Sequence, residues 1–185
     1  MKFYAIRHGE TDWNVAGRLQ GSTDVELNEN GIRQAQEARD IIAKYPVDLI
    51  VCSTMKRAKK TAEIINEALH CEILYTEDLC ERCYGEFEGM TAPEYRADPM
   101  MAAKAFSDYA ANVHYRGVEP IHDFCERIKK LIDGLRESYP GKNILLVTHG
   151  ATMRAIDWYF HGLDEDGKLP NSKRGNCTIF EFSVE

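Results

Sequence analysis

No stretch of this chain is apolar for long enough to cross a bilayer as a helix, which takes about 20 consecutive apolar residues. The opening Met1-Lys2-Phe3-Tyr4 leads directly into the polar Arg7-His8-Gly9-Glu10 instead of the long apolar run of a secretory leader, so none is expected. Basic charge is in deficit, with 23 Lys and Arg against 30 Asp and Glu and a formal net charge of -7. Nucleic-acid binding calls for a basic stripe. Neither nucleic acid nor a membrane is therefore expected as a partner, and a cytoplasmic location follows as the default. Internal repeats and low-complexity tracts are missing as well, which excludes solenoids and long flexible linkers. The six cysteines (Cys52, Cys71, Cys80, Cys83, Cys125 and Cys177) are scattered and read as reduced thiols. Cys80 and Cys83 form a C-x-x-C, but zinc would need two further ligands at suitable spacing. None stands nearby, so no metal site is expected.

What is present is an alternation of short apolar runs with longer amphipathic ones. A chain of 185 residues can bury about 70% of its unfolded surface as one domain and is too short for two well-separated ones. Phe3 to Ile6 reads as a buried strand. Asn28 caps a helix in which Ile32, Ala35, Ala38, Ile42 and Tyr45 recur at helical spacing and which ends before Pro46. Asp48 to Cys52 is a second strand. Met55, Ala58, Ala62, Ile65 and Leu69 form one stripe of the next helix, whose other faces carry Lys56, Lys59, Lys60 and Glu63. Ile73 to Tyr75 is a short strand, and Ile121 to Tyr139 a helix stopped by Pro140-Gly141. Ile144 to Val147 is a strand, followed by a helix from near Thr152. In the last strand, Thr178 to Val184, Phe180, Phe182 and Val184 oppose Ile179, Glu181 and Ser183. This order predicts a layered α/β domain. Between Gly89 and Pro120 the pattern weakens, with modest helical character around Met100 to Ala111. That segment reads equally as a lid and as a plain helical hairpin.

Two strands run directly into histidines: Phe3-Tyr4-Ala5-Ile6 into Arg7-His8-Gly9-Glu10-Thr11, and Ile144-Leu145-Leu146-Val147 into Thr148-His149-Gly150. Either fragment alone is an ordinary chain turn. Together they place both histidines at the carboxyl edge of a sheet, where open α/β folds bind ligands. Phosphoryl transfer needs a nucleophile, positive charge around the equatorial oxygens and a proton for the leaving oxygen. An imidazole such as His8 is partly unprotonated near neutral pH and needs no metal to be reactive. Arg7 offers a planar fork for phosphate oxygens. Arg57 stands at the start of a helix whose dipole also favours an anion.

The blocks Arg7-His8-Gly9-Glu10-Thr11, Trp13-Asn14, Gly17-Arg18-Leu19-Gln20-Gly21, Leu27, Gly31 and Gln34-Ala35 occur in that order. Arg57-Ala58, Thr61-Ala62, Leu79-Cys80-Glu81-Arg82-Cys83-Tyr84-Gly85-Glu86-Phe87-Glu88-Gly89 and Thr148-His149-Gly150 follow. In these the chain resembles the histidine phosphatase superfamily, on its phosphoglycerate mutase-like branch. The resemblance implies a three-layer α/β/α sandwich with a mostly parallel central sheet and helices on both faces. It implies one domain over 1–185 with a helical lid insertion at about 90–119. It also implies that His8 becomes a phosphohistidine, that Arg7, Arg57 and His149 form the phosphate pocket, and that Glu81 protonates the leaving oxygen and then activates water. Thr11, Asn14, Gly21 and Gly150 would surround the transferred group, with Asn176 a further candidate.

These implications amount to a cofactor-free phosphatase acting on a small phosphorylated metabolite, with an acidic to near-neutral optimum. Glu81 must hold a proton while His8 is neutral. A cofactor-dependent phosphoglycerate mutase is the first rival, disfavoured by the short insertion and by a sequence that stops at Glu185 directly after the expected last strand. A catalytically silent phospho-ligand binder is the second, disfavoured because Arg7, His8, Arg57, Glu81 and His149 are all present. Ser53-Thr54-Met55 replaces the Ser-Pro-Leu found in many members, and Val118-Glu119-Pro120 replaces Gly-Glu-Ser, so the second turn and some substrate contacts are expected to differ. His70, His114, His122 and His161 read as structural or exposed, with His114 and Tyr115-Arg116 in the insertion the leading exceptions, since Arg116 as a lid cation is able to touch a second acidic group on the substrate. The physiological substrate and the oligomeric state are not legible in the sequence.

Overall fold

The structure is a computed structural model, and it describes residues 1–102, 109–110, 112–170 and 175–183. Among these, five strands form one sheet in the order β3-β2-β4-β1-β5. The strands are β1 (Lys2–Arg7), β2 (Leu49–Ser53), β3 (Glu72–Thr76), β4 (Ile144–Thr148) and β5 (Ile179–Ser183). β1, β2, β3 and β4 run parallel, and β5 pairs antiparallel with β1. The helices are α1 (Asp12–Val15), α2 (Glu29–Ile42), α3 (Lys56–Leu69), α4 (Ala92–Arg96), α5 (Ile121–Ser138) and α6 (Gly150–His161).

β2 and β4 are buried at every residue, as parallel strands covered on both faces must be. Their side chains alternate between two cores. Phe3, Ala5, Leu49, Val51, Ile144 and Leu146 pack with Phe124, Ile128 and Ile132 of α5 and with Met153 and Ile156 of α6. Tyr4, Ile6, Ile50, Cys52, Leu145 and Val147 pack with Ala38 and Ile42 of α2 and with Ala58, Ala62 and Ile65 of α3. The result is the three-layer sandwich, with α5 and α6 on one face and α2 and α3 on the other. Phe180 and Phe182 of β5 join the first core and Ile179 the second, so the alternation seen in the sequence sorts its faces.

Some boundaries differ from those read in the sequence. α2 stops at Ile42, and Tyr45 lies beyond it, packed edge-on against Tyr4 at 5.1 Å between ring centroids. α6 begins at Gly150, two residues ahead of the apolar stripe. Tyr95, Met101 and Val118 of the expected insertion pack with Tyr84 and Phe87, which precede it, in a third, smaller cluster. Most of the helical stretch expected around 100–111 lies outside the described residues. No described helix is long and apolar enough to cross a membrane.

Candidate active site

Parallel register brings the carboxyl ends of β1, β4 and β2 together. Arg7 is opposite Thr148, and Cys52 is opposite Val147. His8, Ser53 and His149 therefore leave the sheet side by side, and the two imidazole centroids are 5.2 Å apart. His8 is 2% exposed, and its Nδ1 lies 2.6 Å from the carbonyl oxygen of Gly9. A carbonyl can only accept, so Nδ1 carries the proton and the lone pair stays on Nε2. Burial first, then the charges of Arg7 and Arg57, pull the His8 pKa well below the ordinary imidazole range. The loop behind this histidine has no room for side chains. A Cβ on Gly9 would lie 2.3 Å from Gly31 O, and one on Gly31 would lie 2.1 Å from Glu10 O.

Arg57 has no exposed surface. Its guanidinium donates to Thr23 O at 2.8 Å, to Gly21 O at 2.9 Å and, from Nε, to His149 Nδ1 at 3.1 Å. His149 must therefore be neutral with its proton on Nε2, which donates to Ser53 Oγ at 2.7 Å. Burial, reinforced by Arg57 and His8, depresses its pKa strongly too. Both ring nitrogens of His149 are thus engaged in orienting Arg57 and Ser53. A direct bond from His149 to phosphate requires Nε2–H to leave Ser53. The dipole of α3 is also used differently from expectation, because Asp24 Oδ1 accepts Lys56 N at 2.8 Å at its first turn.

Glu81 lies across the N-terminus of α6. Its carboxylate accepts Ala151 N at 3.1 Å, Thr152 N at 3.2 Å, Thr152 Oγ1 at 3.3 Å and Arg82 N at 3.0 Å. These donors explain why α6 starts at Gly150: a carboxylate remote in sequence satisfies its first free N–H groups. A Cβ on Gly150 would stand 3.5 Å from Arg7 Nε and 3.7 Å from Glu81 Oε2, so Gly150 lies between the two charged groups. Thr11 caps α1 and donates, from N and Oγ1, to Asn14 Oδ1. Asn176 Nδ2 reaches the same Oδ1 at 3.4 Å and His8 O at 2.8 Å, while Cys177 N holds Arg7 O at 2.9 Å. Arg7, His8, Arg57, Glu81, His149, Thr11, Asn14, Gly21, Gly150 and Asn176 are therefore drawn into one network at one sheet edge.

Residues 3–185 match the profile of the histidine phosphatase superfamily (branch 1). The chain belongs to that superfamily. This histidine phosphatase superfamily member is 40% identical over 180 residues to the uncharacterized phosphatase PhoE of Bacillus subtilis, covering 97% of this chain and 88% of PhoE. It is 32% identical over 170 residues to a metal-independent phosphoserine phosphatase of Arabidopsis thaliana, covering 90% of this chain and 71% of that one. A solved mycobacterial glucosyl-3-phosphoglycerate phosphatase, complexed with VO3, is similar with a TM-score of 0.83 at 28% identity, over 98% of this chain and 90% of that one.

The superfamily member also carries supporting groups to which the sequence reading gave no role. Ser53 anchors His149. Glu88 accepts Ser22 N and Ser22 Oγ at 2.8 Å, Thr23 Oγ1 at 2.7 Å and Tyr84 N at 3.1 Å, fastening the block that carries Glu81 to the loop that grips Arg57. The motif spelled out Glu88, but not its partners. Arg116, expected as a lid cation for substrate, is bonded instead to Glu86 at 2.8 Å and Asp98 at 3.4 Å. His70, His114, His122 and His161 are exposed. Cys80 faces Ser53 and Thr54, Cys83 faces Gly117 O, and no described His, Cys, Asp and Glu side chains cluster as a metal site.

Proposed function

We propose that the protein is a metal-independent phosphomonoesterase that moves a phosphoryl group from a small phosphorylated metabolite through His8 to water. The observation that carries this reading is the 2.6 Å contact from His8 Nδ1 to Gly9 O, which leaves Nε2 as a neutral nucleophile beside Arg7 and Arg57. In the first step the Nε2 lone pair attacks phosphorus, the P–O bond to the leaving group breaks, and Glu81 delivers its proton to the departing oxygen. In the second, Glu81 takes a proton from water, the resulting hydroxide attacks phosphorus, and the P–N bond returns its electron pair to His8. The two arginines offset charge on the equatorial oxygens, in a site already shielded from solvent. The metal-independent relative supports the absence of a metal requirement.

Gln20, 7% exposed, precedes Gly21 in the loop around Arg57, and its Oε1 has no hydrogen-bond partner among the described residues. In this reading that acceptor meets a hydroxyl or ammonium donor on the leaving alcohol. The described residues Tyr95, Met101 and Val118 pack on Tyr84 and Phe87, just after Glu81 in the chain, and support a wall over the leaving group, with Val118 bridged to Tyr84. The test is a panel of phosphorylated metabolites assayed for phosphate release with EDTA present, alongside His8→Ala and an alkaline quench that preserves phosphohistidine. Release with a labelled His8 adduct, both absent in the variant, is expected. Chelator-abolished activity restored by metal, or isomerisation of a phosphoglycerate faster than phosphate release, overturns the reading.

A further inference from the structure

We infer that Arg127 and Glu119 form a positioning pair that sets the reach of Glu81 toward the leaving oxygen. The inference rests on the reading of Glu81 as the general acid. Glu119 lies at the end of the insertion and Arg127 on α5, and neither is hydrogen-bonded to His8, Arg57 or His149. Arg127 presents its fork to Glu119, Nε to Oε1 at 3.1 Å and Nη2 to Oε2 at 3.0 Å. This is the two-point geometry in which a guanidinium fixes orientation as well as charge. The remaining nitrogen, Nη1, turns to the chain just before the acid, donating to Asp78 O at 2.6 Å and Cys80 O at 3.3 Å.

Glu119 holds the chain just after the acid. Its backbone N–H donates to Cys83 O at 2.9 Å, its carbonyl accepts Arg82 Nε at 2.8 Å, and its Oε2 accepts Cys83 N at 3.4 Å. Residues 78 and 80 on one side and 82 and 83 on the other are therefore tied to one ion pair. Both of its side chains are only about one-fifth exposed, at 22% and 21%. A surface ion pair of this composition would be worth little, but this one is largely shielded and spends its remaining hydrogen-bonding capacity on backbone groups of a single loop. Glu81 is the residue at the centre of that loop. Its carboxylate rests on the N–H groups of Ala151 and Thr152, so a small shift of the loop changes how far the acid extends beyond α6. Proton delivery depends steeply on such distances.

The consequence is selective. An alkyl leaving group needs Glu81's proton, whereas p-nitrophenolate departs without one, and kcat/KM reports only the steps up to phosphorylation of His8. Arg127→Met and Glu119→Gln are expected to lower kcat/KM for an alkyl phosphate about tenfold or more while changing that for p-nitrophenyl phosphate by less than about threefold. Arg127→Lys, which keeps charge without the fork, recovers only part. In an Glu81→Gln background, Arg127→Met adds nothing to the alkyl-to-aryl ratio. Thermal melts accompany each variant, and Glu119→Gln carries the test if Arg127→Met does not fold. Equal losses on both substrates, or an additive effect in the Glu81→Gln background, overturn the inference. If Glu81→Gln itself leaves the ratio unchanged, the acid assignment has failed and the inference falls with it.

Discussion

The carboxylate of Glu88 occupies the space that a side chain at Gly21 would need: a Cβ there would lie 2.1 Å from Glu88 Oε1. Gly21 also has φ +52°, a backbone region that other residues adopt only with strain. The carbonyl of this same residue accepts from Arg57. The absence of a side chain at 21 and the presence of a carboxylate at 88 are therefore one device, which lets the loop of residues 21–23 close over the buried guanidinium. Burial works to raise the Glu88 pKa, but the bonds from Thr23, Ser22 and Tyr84 outweigh it and leave it lowered. Glu88→Ala removes the acceptor for four donors. The two on exposed Ser22 can turn to water, whereas Thr23 Oγ1 and Tyr84 N are partly buried, and groups of that kind cost about 1–3 kcal/mol each when left unsatisfied in the interior. The expected result is a KM raised about tenfold with a lower melting temperature, measured by steady-state kinetics and calorimetry. Unchanged KM would show that the loop holds Arg57 without Glu88.

Acid should destabilise the fold through its two buried histidines. Both His8 and His149 have pKa values depressed by burial and by neighbouring positive charge, against about 6.5 in an unfolded chain. Below that value the unfolded state binds protons that the folded state refuses, so stability is lost as the pH falls from about 6.5 toward the folded values and is regained on the way up. The urea midpoint should therefore drop between pH 7.5 and pH 5.5. Replacing both histidines by asparagine should flatten that drop. A midpoint that rises on acidification contradicts the buried, neutral assignment.

Arg57→Lys should be nearly as damaging as Arg57→Ala. Lysine keeps the charge but cannot reach Gly21 O, Thr23 O and His149 Nδ1 at once, because it carries one nitrogen where arginine carries three. Removing one preorganised donor from a transition-state site commonly costs about 100- to 1,000-fold in kcat. A loss of that order is expected for both variants, read as phosphate release at saturating substrate. Retention of activity in Arg57→Lys would mean that the guanidinium supplies charge alone.

The sequence made the sheet edge legible because His8 and His149 each follow an apolar strand directly, and a local pattern carries that information. Arg57 and Glu81 could be placed through their motif blocks, since those blocks travel as short strings. What stayed hidden was produced by pairs far apart in the chain. The early start of α6 depends on Glu81, and the first N–H of α3, that of Lys56, donates to Asp24, so a carboxylate of the chain itself takes part of the anion-favouring position that the helix start offers. Arg116 reads as an available lid cation until the fold puts Glu86 and Asp98 beside it. Glu119 kept its register in the sequence, but its partner Arg127 lies on α5, so its role depends on packing rather than spacing.

Gly31→Ala tests the tightest backbone crossing near His8. Gly31 lies in the first turn of α2, where alanine would ordinarily be the better helix former by about 1 kcal/mol. Here a Cβ would stand 2.1 Å from Glu10 O and 2.7 Å from Glu10 N. Both are backbone atoms, so the clash cannot be relieved by a side chain turning away. Either α2 must move off the sheet, disturbing Ala38 and Ile42 in the core, or the loop of residues 8–10 must move and carry His8 with it. Overpacking of this kind costs about 1–3 kcal/mol, more than the helix propensity returns. The variant should melt at a lower temperature despite its better helix former, and kcat should fall through displacement of His8. A melting temperature at or above that of the parent would mean that α2 and the loop do not touch as described.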